Sequence, residues 1–385
     1  MSKYIQTAAE LDALVEELKG SKFICIDTEF LREKTYFAKL CLIQVNNGDV
    51  SAIVDPLAID DIKPFGVLLA DHTITKVFHA GSQDIAILYH ATGIMPSPVF
   101  DTQVAAALLG YPLQVGYGPL VRSMCGVRLA KADSYTDWAR RPLSDNQVKY
   151  ALDDVAYLPQ MYEHMKASLS KKGRLEWLDA DFKELTNPAK YDNEPREMWR
   201  RVKRVSSLSR QQLAIAREIA AWREQEAVKR NVPRKWVLSD EAIIEITRKA
   251  PSTSGRLLEV RGLAGHLSRK GVNQILEAVR KGVEMPQEQW PKLERHARGN
   301  TEIDGAVDMM AALVDVRASQ NDVAAPVLAS HDELTRLARG HRSDVAVLEG
   351  WRYQMVGKEL IDLLEGRISL YLDNGRIEVT VRNRS

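Results

Sequence analysis

In "FICIDTEFL", residues 23–31, an apolar run leads into two acids separated by one threonine. The apolar residues predict a buried β-strand. Residues two apart on a strand point to the same face, so Asp27 and Glu29 project together while Thr28 points away. Two like charges here repel each other unless a cation lies between them, and a metal ion with oxygen ligands fits. The alternative is a pair of exposed acids that accept N–H groups from a loop.

Further β-rich segments with turn residues between them surround this stretch, and helical patterns follow. The predicted strands lie in "KFICIDTEF" (22–30), "KLCLIQVNNGD" (39–49), "VSAIVDPL" (50–57) and "ITKVFHAG" (74–81). The helical segments include "SQDIAILYHATG" (82–93) and "DTQVAAALLGY" (101–111). A meander of strands followed by strands alternating with helices predicts an α/β domain whose mixed sheet is flanked by helices, over residues 1–195.

The second half of the chain is predicted to be almost wholly helical. An internal repeat connects "VLSDEAIIEITR" (237–248) with "VLASHDELTRLAR" (327–339), about 90 residues later. Such a repeat indicates two small all-α domains in tandem, for which we predict residues 205–287 and 295–385.

Charge and cysteine content narrow the class of protein. Residues 1–195 carry a net charge of −6 and residues 196–385 carry +7, which is compatible with metal binding in one half and polyanion binding in the other, or with chance variation. The three cysteines form no C-x-x-C pair, which argues against a disulfide framework or a zinc site. No apolar run approaches the roughly 20 residues of a spanning helix, so we expect a cytoplasmic protein without membrane contact.

Two further acidic groups accompany the first. In "HAGSQD" (79–84), Asp84 starts a helix, where an acid facing the helix dipole is common. In "SDNQVKYALDDVAYLPQM" (144–161), Tyr150 and Asp154 lie four residues apart on one helix face, and spacing alone does not exclude Asp153. Taken together, the acids and the tyrosine suit a phosphodiester hydrolase that uses two Mg²⁺ or Mn²⁺ ions.

The same blocks carry a resemblance. "IDTEFLREKTYFAKLCLIQV" (26–45), "HAGSQDIAIL" (79–88), "DTQVAAALLG" (101–110) and "TDWARRPLSDNQVKYALDDVAYL" (136–158) resemble the ribonuclease D family, in register and across essentially the whole chain. The resemblance implies a ribonuclease H-like fold for the first domain, in the tyrosine-bearing subgroup of DEDD exonucleases. The helical modules resemble HRDC (helicase-and-ribonuclease-D C-terminal) domains.

The resemblance also implies roles for individual residues. Asp27, Glu29, Asp84 and Asp154 would bind the two metal ions, Tyr150 would orient the attacking water, and Asp154 is selected over Asp153. The candidate substrate-binding residues are Thr28, Phe30, Gln44 and His79, and Asp101 is a further candidate near the terminal nucleotide; for Gln44, His79 and Asp101 the alternative is a structural hydrogen bond. Independently of the resemblance, a pocket around the last nucleotide needs stacking side chains, for which Phe30, Tyr36 and Phe37 are candidates, with a core position as the alternative for each.

The implied function is that of a metal-dependent 3′→5′ exoribonuclease that releases nucleoside 5′-monophosphates from RNA, with tRNA precursors as expected substrates. A basic segment around Trp199, from Arg196 to Arg204, would contact phosphates. No obligate protein partner is expected. The alternatives are a DNA 3′→5′ exonuclease and a catalytically silent RNA-binding scaffold.

Overall fold

A computed structural model describes residues 2–129, 136–261, 263, 267–293 and 301–382. Six strands form one mixed sheet in the order β1-β4-β3-β2-β5-β6. The strands are β1 (Lys3–Ile5), β2 (Phe23–Leu31), β3 (Lys39–Asn46), β4 (Ser51–Val54), β5 (Thr75–Phe78) and β6 (Val99–Asp101). The four predicted strands are present, and β1 and β6 extend the sheet at its two edges.

Strand β2 occupies the middle of this sheet and carries the two acids at its carboxyl end. Its apolar residues Ile24, Cys25 and Ile26 are fully buried, as a strand covered on both faces requires. Strand β5 runs parallel to β2, with Cys25 opposite Val77. The carboxyl ends of both strands therefore meet at one edge, where the chain leaves β5 towards the helix that contains Asp84.

Helices flank the sheet and continue through the second half of the chain. Those up to residue 185 are α1 (Ala8–Leu18), α2 (Gly66–Ala70), α3 (Ser82–Thr92), α4 (Thr102–Ala107), α5 (Tyr117–Cys125), α6 (Asp145–Ala156), α7 (Leu158–Lys171) and α8 (Asp179–Leu185). Then follow α9 (Arg210–Arg230), α10 (Arg234–Val237), α11 (Asp240–Lys249), α12 (Ser254–Leu258) and α13 (Arg269–Val283). The last group is α14 (Thr301–Gln320), α15 (Ala325–Leu328), α16 (His331–Ala338), α17 (Gly350–Arg352) and α18 (Lys358–Leu364).

Local sequence signals explain where the key helix α6 begins and ends. Ser144 and Gln147 form a reciprocal capping box at its start. Pro159 lacks the N–H that would continue the helix, and α6 gives way to α7 at Tyr157. The break that the proline predicts just beyond Asp154 is therefore present.

The chain divides into two compact units, and the first contains the sheet. It comprises Met1–Glu29, Leu42–Thr186 and Ala297–Ser385. Within this unit the C-terminal module packs against the sheet domain: Trp177 and Trp351 stack in parallel with ring centroids 4.2 Å apart. The guanidinium of Arg174 donates to the carbonyl oxygens of Leu108 at 2.9 Å and of Asn321 at 2.6 Å. The last 80 or so residues are thus part of the same compact body as the sheet.

The second unit comprises Phe30–Cys41 and Asn187–His296. Its core is formed by α9, α11 and α13, with Trp199 among its buried side chains. The segment 30–41 is attached to it through Tyr36, whose hydroxyl donates to the buried carboxylate of Glu224. Asn231 accepts hydrogen bonds from the backbone N–H groups of Tyr36 and Phe37, both at 3.1 Å.

The fold class predicted from the sequence, an α/β exonuclease-type domain followed by helical modules, is confirmed, with one correction. The last module is not all-α, because β7 (Ile368–Asp373) and β8 (Arg376–Val381) form an antiparallel hairpin. Asn374 and Gly375 both have positive φ, which is what a two-residue hairpin turn requires. The domain boundaries stay predictions, and the predicted start at residue 295 lies outside the described residues. Within the part of the chain that is described, no helix is both long and apolar enough to span a bilayer.

Candidate active site

Three carboxylates converge at the carboxyl edge of the sheet. Ligand oxygens of Asp27, Glu29 and Asp154 all lie within 4.8 Å of one another, and the three side chains are partly buried. Asp27 and Glu29 come from β2, and Asp154 comes from the last turn of α6. We refer to these three residues as the acid cluster.

Asp84 is held next to the acid cluster by the first turn of α3. Its side chain is buried, and its Oδ1 accepts a hydrogen bond of 2.5 Å from the hydroxyl of Thr28. Its charge raises the pKa of both Asp27 and Glu29, which places it within electrostatic range of the cluster. Asp84 therefore lies beside the acid cluster because α3 follows β5, which pairs in parallel with β2.

Helix α6 separates its two consecutive acids. Asp153 forms an ion pair with Lys149 on the exposed face of the helix, whereas Asp154 belongs to the acid cluster. Tyr150, one turn earlier, interacts through its hydroxyl with the carboxylate of Asp154. The ambiguity that spacing leaves between the two acids is resolved by the direction in which each side chain points.

The pKa values of the clustered acids are raised because burial and mutual repulsion disfavour their charged forms. Burial and then the charges of its acidic neighbours raise the pKa of Asp27 well above its ordinary value. The same causes raise the pKa of Glu29 to about 8, and burial raises that of Asp154 to about 7 and that of Asp84 to about 6. A bound divalent cation removes this repulsion, and a set of carboxylate oxygens is what Mg²⁺ and Mn²⁺ prefer. The cluster therefore fits a divalent metal site.

Two supports of the site could not be found by sequence reasoning. The buried hydroxyl of Tyr117 donates to the carbonyl of Asp153 at 3.0 Å and accepts from the N–H of Tyr157 at 3.3 Å, so it braces the break between α6 and α7. The second support is Trp138, whose ring lies 6.0 Å from that of Tyr150. Neither residue belongs to a charge pattern, and an aromatic residue alone predicts only a core position.

The candidate substrate-binding residues have varied surroundings. The hydroxyl of Thr28 is committed to Asp84. Gln44 is fully buried, and its amide has no hydrogen-bond partner among the described residues. The Nδ1 of His79 lies 2.9 Å from the hydroxyl of Thr102. Phe30 is partly exposed directly after the acids, and all four substrate contacts stay predictions.

Two aromatic candidates for contact with RNA differ in their surroundings. Trp199 is only 1% exposed and packs in the core of the second unit, with the guanidinium of Arg200 over its ring. Tyr36 is covered by Arg234, 5.2 Å from its ring centroid, and donates to Glu224. Trp199 is therefore not accessible for stacking on a base, whereas Tyr36 is partly buried and its contact with RNA stays a prediction.

Comparisons with known proteins show what this chain is similar to. Residues 2–170 match the 3′-5′ exonuclease family, and residues 212–279 match the HRDC domain. Ribonuclease D of Sphingobium indicum is 40% identical over 94% of both chains, and ribonuclease D of Acidiphilium cryptum is 40% identical over 97% of this chain and 96% of its own. The chain belongs to the ribonuclease D family. The crystal structure of Escherichia coli RNase D, described as an exoribonuclease involved in structured RNA processing, matches with a TM-score of 0.81 and 29% identity, covering 95% of this chain and 99% of that one.

Membership of the ribonuclease D family confirms the resemblance in the sequence. The chain is a hydrolytic 3′-5′ exoribonuclease, and the acid cluster lies inside the segment that matches the exonuclease family.

Proposed function

We propose that this protein uses the acid cluster, Asp84 and Tyr150 to remove nucleotides from RNA 3′ ends with two divalent metal ions. The observation that carries the proposal is the convergence of Asp27, Glu29 and Asp154 within 4.8 Å at the edge of the sheet. Three partly buried carboxylates that lie this close together repel one another, and each raises the free energy of ionising the others. Purely structural acids would not be expected to converge in this way.

The four acids would divide between two metal ions. Asp27, Glu29 and Asp154 would bind one ion, and Asp27 with Asp84 would bind the second. When bound, Mg²⁺ or Mn²⁺ would supply a hydroxide nucleophile and stabilise the leaving 3′-oxygen. Thr28 keeps Asp84 oriented through its hydrogen bond of 2.5 Å, so that its other oxygen can face a ligand.

Tyr150 is suited to orient water rather than to accept its proton. Burial, followed by the charges of Asp154 and Glu29, raises the pKa of its phenol. The hydroxyl therefore stays protonated at neutral pH, where it can both donate and accept a hydrogen bond. Such a hydroxyl can fix the direction from which the water attacks the phosphorus. Tyr150 would therefore contribute to catalysis by positioning the water and not by accepting its proton.

The substrate is proposed to be structured RNA with a free 3′ end, with precursors of tRNA as the class. The net charge of +7 over residues 196–385 suits contact with a polyanion. The cytoplasm is the proposed location, because all three cysteines are free thiols.

The proposal is tested with three labelled oligonucleotides: a structured RNA with a 3′ extension, the same RNA without the extension, and a DNA of the extended sequence. Each is incubated with the protein and with Asp154→Asn, in Mg²⁺ or in EDTA. We expect only the extended RNA to be shortened stepwise from its 3′ end, with release of nucleoside 5′-monophosphates, and only by the unmodified protein in Mg²⁺.

Other outcomes would identify the alternatives. Equal digestion of the DNA would favour a DNA exonuclease. Binding of RNA without any shortening would favour a silent scaffold, and shortening in EDTA would contradict the metal-dependent mechanism.

A further inference from the structure

Outside the acid cluster, one buried carboxylate of the sheet domain has hydrogen-bond partners on both of its oxygens. Asp55, directly after β4, has a side chain that is 0% exposed and accepts four hydrogen bonds. Arg141 donates two of them, Nε to Oδ2 at 2.6 Å and Nη2 to Oδ1 at 2.7 Å. The hydroxyl of Tyr4 donates at 2.8 Å and the N–H of Leu57 at 3.0 Å. Such a paired fork fixes the plane of the guanidinium.

The same guanidinium holds a stretch of irregular backbone. Its Nη1 donates to the carbonyl oxygens of Trp138 at 2.7 Å and Arg140 at 2.9 Å. The described residues 136–143 lie outside any helix or strand. Their backbone is therefore not held by a regular ladder, and Arg141 links the carbonyl of Trp138 to the rigid end of β4.

The ring of Trp138 in turn packs against Tyr150. Trp138 is 9% exposed, and the two ring centroids lie 6.0 Å apart with an interplanar angle of 35°. A large ring in this position limits the rotation of the phenol about its side-chain torsions. The hydroxyl of Tyr150 interacts with Asp154 of the acid cluster, so a shift of the ring also moves the hydroxyl.

We propose that Asp55 and Arg141 are positioning residues for Tyr150: the ion pair fixes the backbone of Trp138, and the Trp138 ring holds the phenol in the direction that catalysis needs. The inference rests on the proposed role of Tyr150 and deepens it. It assigns a function to an ion pair whose members are 86 residues apart and which sequence analysis did not single out.

Arg141→Lys is the sharpest probe, because it keeps the positive charge. An ammonium group cannot present the planar fork to Asp55 and donate to the Trp138 carbonyl with the same geometry. Trp138→Leu removes the ring and leaves the ion pair. Arg140→Lys is the matched control, because Arg140 is adjacent in sequence and exposed.

The experiment measures kcat and KM on the 3′-extended RNA for each variant alone and in combination with Tyr150→Phe. We expect Tyr150→Phe to lower kcat about 10²-fold, as removal of a group acting on the water should. Arg141→Lys and Trp138→Leu should each lower kcat about tenfold with KM within twofold, since small displacements of an orienting group affect turnover rather than binding. Added to Tyr150→Phe, either change should cost less than about twofold more, because both act through the same hydroxyl.

The outcomes separate this inference from the proposed role of Tyr150. If Tyr150→Phe leaves kcat unchanged, the role of Tyr150 itself is wrong. If Tyr150→Phe lowers kcat but Arg141→Lys costs the same factor in both backgrounds, or no more than Arg140→Lys, the positioning role is overturned. Circular dichroism and thermal unfolding check the fold, and if Arg141→Lys does not fold, an equal loss for Trp138→Leu in both backgrounds overturns the inference.

Discussion

Asp55 and Asp27 are acids carried by two strands of one sheet, Asp55 directly after β4 and Asp27 within β2, yet their surroundings have opposite effects on the carboxyl pKa. Around Asp55, burial raises the pKa, but hydrogen bonds from Arg141 and Tyr4 outweigh it and the pKa is lowered. Around Asp27, burial and three other acids raise the pKa well above its ordinary value. Hydrogen-bond donors of the chain itself stabilise the charged form of Asp55. The acids around Asp27 destabilise its charged form, so only a cation that is not part of the chain could stabilise it. The charged form of a carboxylate is favoured where the chain supplies its partners, and it is disfavoured in a cluster of acids that lacks them.

The largest expected effect is that of Asp154→Asn, which removes one carboxylate of the acid cluster. We expect hydrolysis of RNA to fall about 10³-fold or more, because metal stabilisation is worth several kcal/mol and each 1.36 kcal/mol is tenfold in rate. Asp153→Asn is the control, since Asp153 pairs with Lys149 on the exposed face. Steady-state digestion of the extended RNA measures both. Equal losses for the two variants would show that the cluster is assigned to the wrong acid.

Stability should respond in opposite directions when each type of acid is neutralised. Asp55→Asn leaves Arg141 without its buried anionic partner and should lower the free energy of unfolding by about 3 kcal/mol. Asp27→Asn removes a repelling charge and should raise the free energy of unfolding of the metal-free protein by about 1 kcal/mol, since one pKa unit corresponds to 1.36 kcal/mol. Urea unfolding in EDTA at pH 8 compares them. A loss of stability for both would remove the distinction between the two acids.

A further prediction concerns the pH dependence of the stability of the metal-free protein. Acids with raised pKa stabilise the fold fully below their ordinary values near 4, and that stability is lost as the pH rises through about 6 for Asp84, 7 for Asp154 and 8 for Glu29. Thermal unfolding in EDTA should therefore occur at a lower temperature at pH 8.5 than at pH 5.5. Mg²⁺ at ten times its Kd should restore about 1.4 kcal/mol at the higher pH, where the ligands are charged. A pH dependence as steep in Asp154→Asn as in the unmodified protein would contradict the assignment.

Local patterns made much of the fold and the site predictable. The four inner strands, the capping box at Ser144 and the break at Pro159 are each encoded within a few residues, so they follow from the sequence. Asp27 and Glu29 share a face by strand periodicity, and Asp154 lies one turn from Tyr150 by helix periodicity. These short-range rules place side chains without knowledge of the rest of the chain.

What escaped prediction depends on contacts between distant parts of the sequence. In α6 the fully buried positions are Ala151 and Val155, whereas Val148 and Leu152 are only partly buried, because the sheet decides which side of the helix is covered. The hairpin at the end of the chain had a local signal in Asn374 and Gly375 that the helical repeat concealed.

The three-part composition of the first unit has a consequence for how the enzyme folds. Its C-terminal segment packs with the sheet domain through the stacked rings of Trp177 and Trp351 and through Arg174. Contacts between residues so far apart in sequence form late and slowly, because a long loop must first be closed. The unit that carries the acid cluster therefore completes its packing only when this distant segment has docked, so its assembly depends on the chain's longest-range contacts rather than on the strands that carry the acids.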